Sequence, residues 1–110
     1  MPTSAPLGEF EVAVLMAVLH LGEAAVGVAV RDEIAHRTGR AVARGAVYVT
    51  LDRLETKGLL TSRMDDATPE RGGHRRRYFT VTAVGLKRVR QALAMVERMR
   101  AGLEPILERP

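Results

Sequence analysis

The stretch RGGHRRRYF, from Arg71 to Phe79, carries Arg71, Arg75, Arg76 and Arg77 with no acidic residue among them. Within it the pair Gly72-Gly73 can supply a hairpin turn, followed by His74. Arginines on both sides of such a tip suit a polyanion: they can lie along a phosphate backbone or enter a narrow minor groove. A competing reading is a solvated basic loop that balances Asp65, Asp66 and Glu70. No other constellation in the chain points to chemistry. His20, His36 and His74 lie far apart and make no metal-ligand spacing. Asp65 and Asp66 are adjacent in a loop and form no general acid/base pair. No serine or threonine has a recognisable base partner, and the glycines make no phosphate-cradling motif. We expect no catalytic residues, no metal and no cofactor.

The elements that must carry this stretch fit one domain. A chain of 110 residues, 46% of them apolar, has enough material for one core. It contains no cysteine, which excludes disulfide scaffolds and thiolate zinc sites. The net charge of +4 and pI near 10.3 favour a polyanionic partner, a weak signal until the excess is seen to be concentrated. Residues Met1 to Pro6 lack the basic start and apolar core of an export signal. The longest apolar run, Val12 to Leu19, is too short to span a bilayer. The expectation is a soluble, cytoplasmic protein with no membrane partner.

After a lead-in over residues 1–6, Phe10, Val14, Leu15, Val18 and Leu19 follow a 3.6-residue period and predict a helix over 7–21. Glu9 and Glu11 favour its positive end, and Gly22 stops it. This helix is apolar nearly all round, so it should be covered on several sides, including by a neighbour beyond its own small domain. A second helix spans 27–38, with Val30 and Ile34 inward, and Gly39 is its stop. A third spans 45–57, with Val47, Leu51 and Leu54 as its buried stripe and Gly58 as its close. The period then changes. A short strand over 59–64, a loop over 65–75 containing Pro69, and a strand over 76–82 read as a hairpin. Thr82 stands where an N-cap belongs, and a last helix runs over 83–104, just before Pro105 and a tail of 105–110. The fold class is mainly α with a small β-hairpin (α+β): a winged helix-turn-helix over 7–82 plus a C-terminal dimerisation helix.

Such an architecture gives the third helix a task. With its stripe buried, the opposite face carries Ala46, Val49, Thr50, Arg53 and Lys57, with Arg44 at the entry. Small residues there allow close approach to base edges. Ala46, Val49 and Thr50 can touch thymine methyls, and Arg53 can reach guanine or phosphate. Any amphipathic surface helix shares this pattern, but a solvated one would more often carry Glu or Lys at position 49. The loop 66–75 then becomes a wing, with Arg71, Gly72, Gly73, His74, Arg75 and Arg76 on DNA. On the last helix Leu86, Val89, Leu93, Val96, Met99 and Leu103 recur at steps of three and four, a seam for a partner helix. The alternative is packing on its own domain, especially on the first helix. Met95 and Met99 are soft fillers.

The segments GAVYVTLDRLETKGLL and PERGGHRRRYFTVTAVGL resemble the PadR family of bacterial regulators. The shared pattern is Gly45, Tyr48, Leu51 and Leu54, then Lys57-Gly58-Leu59, a basic wing, the strand Arg75 to Tyr78, and Thr82 with Gly85. The segment LGEFEVAVLMAVLHLG is similar to that family's first helix, so the resemblance runs from Leu7 to about Leu93. It implies a homodimeric, repressor-type regulator on a two-fold site in double-stranded DNA, often relieved by a small-molecule effector. It also implies Tyr48 at the DNA backbone and wing arginines on phosphates. This chain departs from the family in two places. Val26 precedes Gly27 where an aromatic is usual, and Ala43 stands where a serine often caps the third helix. Loss of such a cap costs about 1 kcal/mol of helix stability. Some family members hold flat aromatic effectors, but this chain has no tryptophan to stack on them. Two further readings compete: a winged-helix protein-interaction module, which would not need a basic wing, and a single-strand binder. The latter normally uses aromatic platforms, and Phe10, Tyr48, Tyr78 and Phe79 are the only aromatics.

Overall fold

Helix α1 (Glu9–Leu21) starts where Gly8 is extended and its N–H donates to the Glu11 carboxylate at 3.0 Å. The computed structural model describes residues 5–66, 72 and 74–109. The start is two residues later than the apolar period suggests, because the Glu11 bond ties the Gly8 amide ahead of the first turn. Val14, Leu15, Ala17 and Val18 of α1 are buried. A single 3₁₀ turn (Gly22–Ala24) leads to α2 (Gly27–Thr38) and α3 (Arg44–Thr56). Gly39 takes a left-handed φ of 70° and returns its N–H to the Ala35 carbonyl, closing α2 where expected. Ala43 gives α3 no side-chain cap.

Strands β1 (Leu60–Met64) and β2 (Arg77–Val81) pair antiparallel, with Leu60 opposite Val81 and Met64 opposite Arg77. One more rung follows, since the Asp65 N–H donates to the Arg76 carbonyl at 2.9 Å. On its other side β2 is tied to the helices: the Phe79 N–H donates to the Ala25 carbonyl at 2.9 Å, and Val26 bridges Tyr78. The core joins Leu15, Val30, Val47, Leu51, Leu54, Leu59, Leu60 and Phe79, all fully buried. Helix α1 contacts α2, α3, β2 and α4, so most of its apolar surface is covered within the chain.

Helix α4 (Ala83–Arg100) begins at the expected cap. The Thr82 hydroxyl accepts the Gly85 N–H at 3.0 Å and donates to the Gly58 carbonyl at 2.8 Å, while the Thr82 N–H reaches the Leu59 carbonyl at 3.0 Å. The foot of α4 is thus bolted to the base of the hairpin. The far end corrects the sequence expectation: α4 stops at Arg100, not at residue 104. A proline in a helix interior lacks the N–H for its own bond and clashes with the carbonyl four residues before it, here that of Ala101. The chain turns at Gly102, with φ 89°, and restarts as α5 (Glu104–Leu107) with Pro105 in its first turn, where the missing N–H costs nothing. Arg100 spans the break, at 2.8 Å from Glu97 and 3.6 Å from Glu104.

Candidate nucleic-acid interface

Helix α3 is held by Val47, Thr50, Leu51 and Leu54, which turn into the core. Thr50 is only 5% exposed, which corrects its assignment to the open face. It lies three residues after Val47 and four before Leu54, so the helix setting that buries those two buries Thr50 as well. What the helix leaves open is Ala46, Val49, Asp52 and Arg53, with Val49 57% exposed. Arg44 and Tyr48 stand on the edge facing the hairpin. The Tyr48 ring rests directly on the backbone of Gly27: a Cβ at that glycine would come within 2.4 Å of Tyr48 Cε1. Glycine at position 27 is therefore what lets the first turn of α2 support this ring, and Val26 ahead of it does not disturb the contact.

Lys57 is exposed at the end of α3, and its Nζ donates to Glu11 Oε2 of α1 at 2.7 Å. Burial works to raise the Glu11 pKa. The Lys57 and Gly8 hydrogen bonds, with the charges of Lys57 and Arg53, outweigh it and hold the carboxyl below its ordinary 4.5. A depressed carboxyl stabilises the fold fully above 4.5 and loses that contribution as pH falls through the lower folded value. Urea unfolding at about pH 6 and about pH 3.5 is therefore expected to show a smaller acid loss in Glu11→Gln than in the native chain. Equal losses in both would remove Glu11 from the acid response.

The wing meets α3 across an open cleft of about 590 Å³ between the starts of α2 and α3 and the base of the hairpin. Arg44, Tyr48, Arg75, Arg76 and Arg77 converge on it. Asp65 accepts the Arg76 N–H at 2.7 Å, fixing the backbone from which Arg75 and Arg76 project. Gly72 is exposed with a φ of 62°, as a turn glycine requires, and His74 is exposed. Arg71 and Gly73 lie outside the described residues.

Arg77 behaves differently from its neighbours. Its Nη1 donates to Asp52 at 2.8 Å, its Nη2 to Glu55, and its Nε to the Ser62 hydroxyl at 3.1 Å. The guanidinium lies 4.8 Å from the centre of the Phe79 ring. Burial acts to lower the Arg77 pKa, but the two carboxylates raise it overall. The sequence reading counted Arg77 only within the basic run and gave Asp52 no role. The helical period does place Asp52 beside Val49, three residues away. Nothing local links it to an arginine 25 residues later.

On α4, Val89 is 4% exposed and packs into the chain's own core, and Leu86 is half-buried. Val89 is thereby corrected as a seam residue, because the first turns of α4 lie against α1 and β2. Beyond them Leu93, Val96, Met99 and Leu103 are open, with Met99 70% exposed. Met95 on α4 and Ile106 and Leu107 on α5 are exposed as well, so the apolar exposure runs further than the expected seam. Among the described residues no His, Asp and Glu cluster can hold a metal ion, and no helix is long and apolar enough to cross a membrane.

The pattern of the transcriptional regulator PadR-like family matches residues 15–91. No curated protein sequence matches the chain. A solved PadR family regulator from Eggerthella lenta is 28% identical, with a TM-score of 0.68 over 88% of this chain and 82% of its own. A PadR-like regulator from Bacillus cereus shares the fold at 17% identity, with a TM-score of 0.72 over 92% and 93% of the two chains. The PcaV regulator from Streptomyces coelicolor, solved with its natural ligand, is 24% identical, with a TM-score of 0.65 over 94% of this chain and 66% of its own. With its winged-helix fold and a family match that spans most of its length, the chain belongs to the PadR-like family of transcriptional regulators, which are not enzymes.

Proposed function

We propose that the chain is a sequence-specific repressor that binds double-stranded DNA as a homodimer in the cytoplasm. Helix α3 enters the major groove, and the wing over 66–75 lies on the backbone or in the minor groove. The observation that carries this reading is the cleft where Arg44, Tyr48, Arg75 and Arg76 converge beside the open face of Ala46, Val49 and Arg53. Cations on one flank suit phosphate, while an apolar, close-approaching face suits thymine methyls, with Arg53 as a donor to guanine. The apolar surface from Leu93 to Leu107 suits a second copy, and two copies demand a two-fold site. A small-molecule effector that relieves binding belongs to this reading, by analogy with the ligand held by PcaV.

The test is a gel-shift on the DNA upstream of the protein's own gene, against random duplex, at two salt concentrations. The upstream DNA is expected to bind more tightly and to survive the higher salt better. Equal, salt-sensitive binding to both would reduce the protein to a non-specific binder, and no binding to either would favour a protein-interaction module. Replacing Arg75 and Arg76 together by Ala should weaken binding to every duplex. The slope of log affinity against log salt should flatten by about 0.9 for each phosphate no longer neutralised, roughly 3 to 4 for a dimer. An unchanged slope would take the wing off the DNA.

A further inference from the structure

A helix that enters a groove lined by phosphates should not present bare carboxylates, yet α3 carries Asp52 and Glu55 on its hairpin-facing side. Asp52 follows Val49 by three residues, and its side chain is 62% exposed. Each uncompensated carboxylate there would repel the duplex. Arg77 meets both: one arm of its fork holds Asp52 and the other holds Glu55. Its Nε bonds Ser62 of β1, whose hydroxyl in turn reaches the Glu55 carboxylate at 2.8 Å. Its planar face stacks on Phe79, which is fully buried. The guanidinium is thus fixed by three hydrogen-bond partners and a ring. A lysine ammonium lacks the planar fork that holds both carboxylates and Ser62 while lying over the ring.

We propose that Arg77 is a positioning residue for DNA recognition, masking Asp52 and Glu55 so that the face of α3 built on Val49 and Arg53 can enter the groove. This rests on the DNA-binding reading above. Arg77 itself touches no phosphate. It divides the arginine run by function: all three arginines line the cleft, but the Arg77 guanidinium is taken up by Asp52 and Glu55 of the reading helix.

The test compares the full-length native chain, Arg77→Met, and Arg77→Met combined with Asp52→Asn and Glu55→Gln. Methionine keeps an unbranched side chain over Phe79 and removes the charge. Arg77→Met is expected to bind the upstream duplex at least tenfold more weakly. The triple variant is expected to return to within threefold of the native chain, which a merely structural role for Arg77 would not allow. Arg77→Met binding as tightly as the native chain, or a triple variant as weak as Arg77→Met, would overturn the proposal. Asp52→Asn with Glu55→Gln alone guards against misfolding of the methionine variant. It releases the guanidinium, so binding to random duplex should rise at least threefold; no rise would also count against masking. A measurement without DNA separates this inference from the function on which it rests. In the free native protein the Arg77 Nε proton should give a resolved NMR signal that is lost in Asp52→Asn/Glu55→Gln. A signal absent from the native chain would overturn the Arg77 cluster whatever the protein binds. A signal present in a chain that binds no duplex would instead refute the DNA reading, and the masking role with it.

Discussion

Leu93→Asp is expected to leave a folded monomer whose affinity for a two-half-site duplex is lower by a factor of roughly 10² to 10⁴. Leu93, Val96, Met99, Leu103, Ile106 and Leu107 are all exposed. Soluble monomers rarely leave large apolar patches to water. In the proposed dimer a carboxylate at position 93 would be buried against a second copy without a partner, a cost of several kcal/mol. In the isolated chain the same side chain points away from the core, so fold stability should change by only about 0.5 kcal/mol. Sedimentation and circular dichroism read the two effects separately. Loss of dimer with intact helicity, and half-site binding at native strength, is the expected outcome. A dimer that persists would place the interface elsewhere.

Gly85→Ala should destabilise the fold by about 2 to 4 kcal/mol, a fall in melting temperature of roughly 10 to 20 °C. Helix propensity alone argues the opposite, since alanine is better than glycine inside a helix by about 1 kcal/mol. Packing decides the sign. A Cβ on Gly85 would stand 2.2 Å from the Leu59 carbonyl oxygen and 2.9 Å from Val81 Cγ1. The oxygen is backbone and accepts the Thr82 N–H, so it cannot swing aside as a flexible side chain would. Relief requires lifting the first turn of α4 from the hairpin and breaking the Thr82 bonds to Gly58 and Leu59. A thermal melt checks this, and an unchanged or raised midpoint would show that α4 does not approach the hairpin so closely.

The elements legible from the sequence are those set by neighbours within a turn or two. Helix α2 ends at Gly39 because a left-handed residue was needed there, and α4 begins at Thr82 because a hydroxyl caps its first turn. The stripe of Val47, Leu51 and Leu54 follows from the 3.6-residue period, and the hairpin from a change of period around a glycine-rich loop. Membership of a regulator family was also readable, since linked motifs from α3 to the start of α4 keep their order and spacing.

Side-chain partners and helix rotation were not legible, because they depend on contacts between distant segments. Thr50 turned inward once the close packing of α3 on the core set the rotation of the helix. Lys57 is ion-paired with Glu11, 46 residues away. Val89 went to the chain's own core, while the apolar surface ran on past the Gly102 break into α5. Arg77, last of the arginine run, was claimed by Asp52 and Glu55, so a run uniform in sequence became two groups with different tasks. The sequence by itself determined the order of the four main helices and the hairpin, the stop at Gly39, the cap at Thr82 and the kind of protein, since those rest on local hydrogen bonding and periodic burial. The tertiary structure alone decided which charges remain open to a partner, because ion pairing depends on distance in space and is blind to distance along the chain.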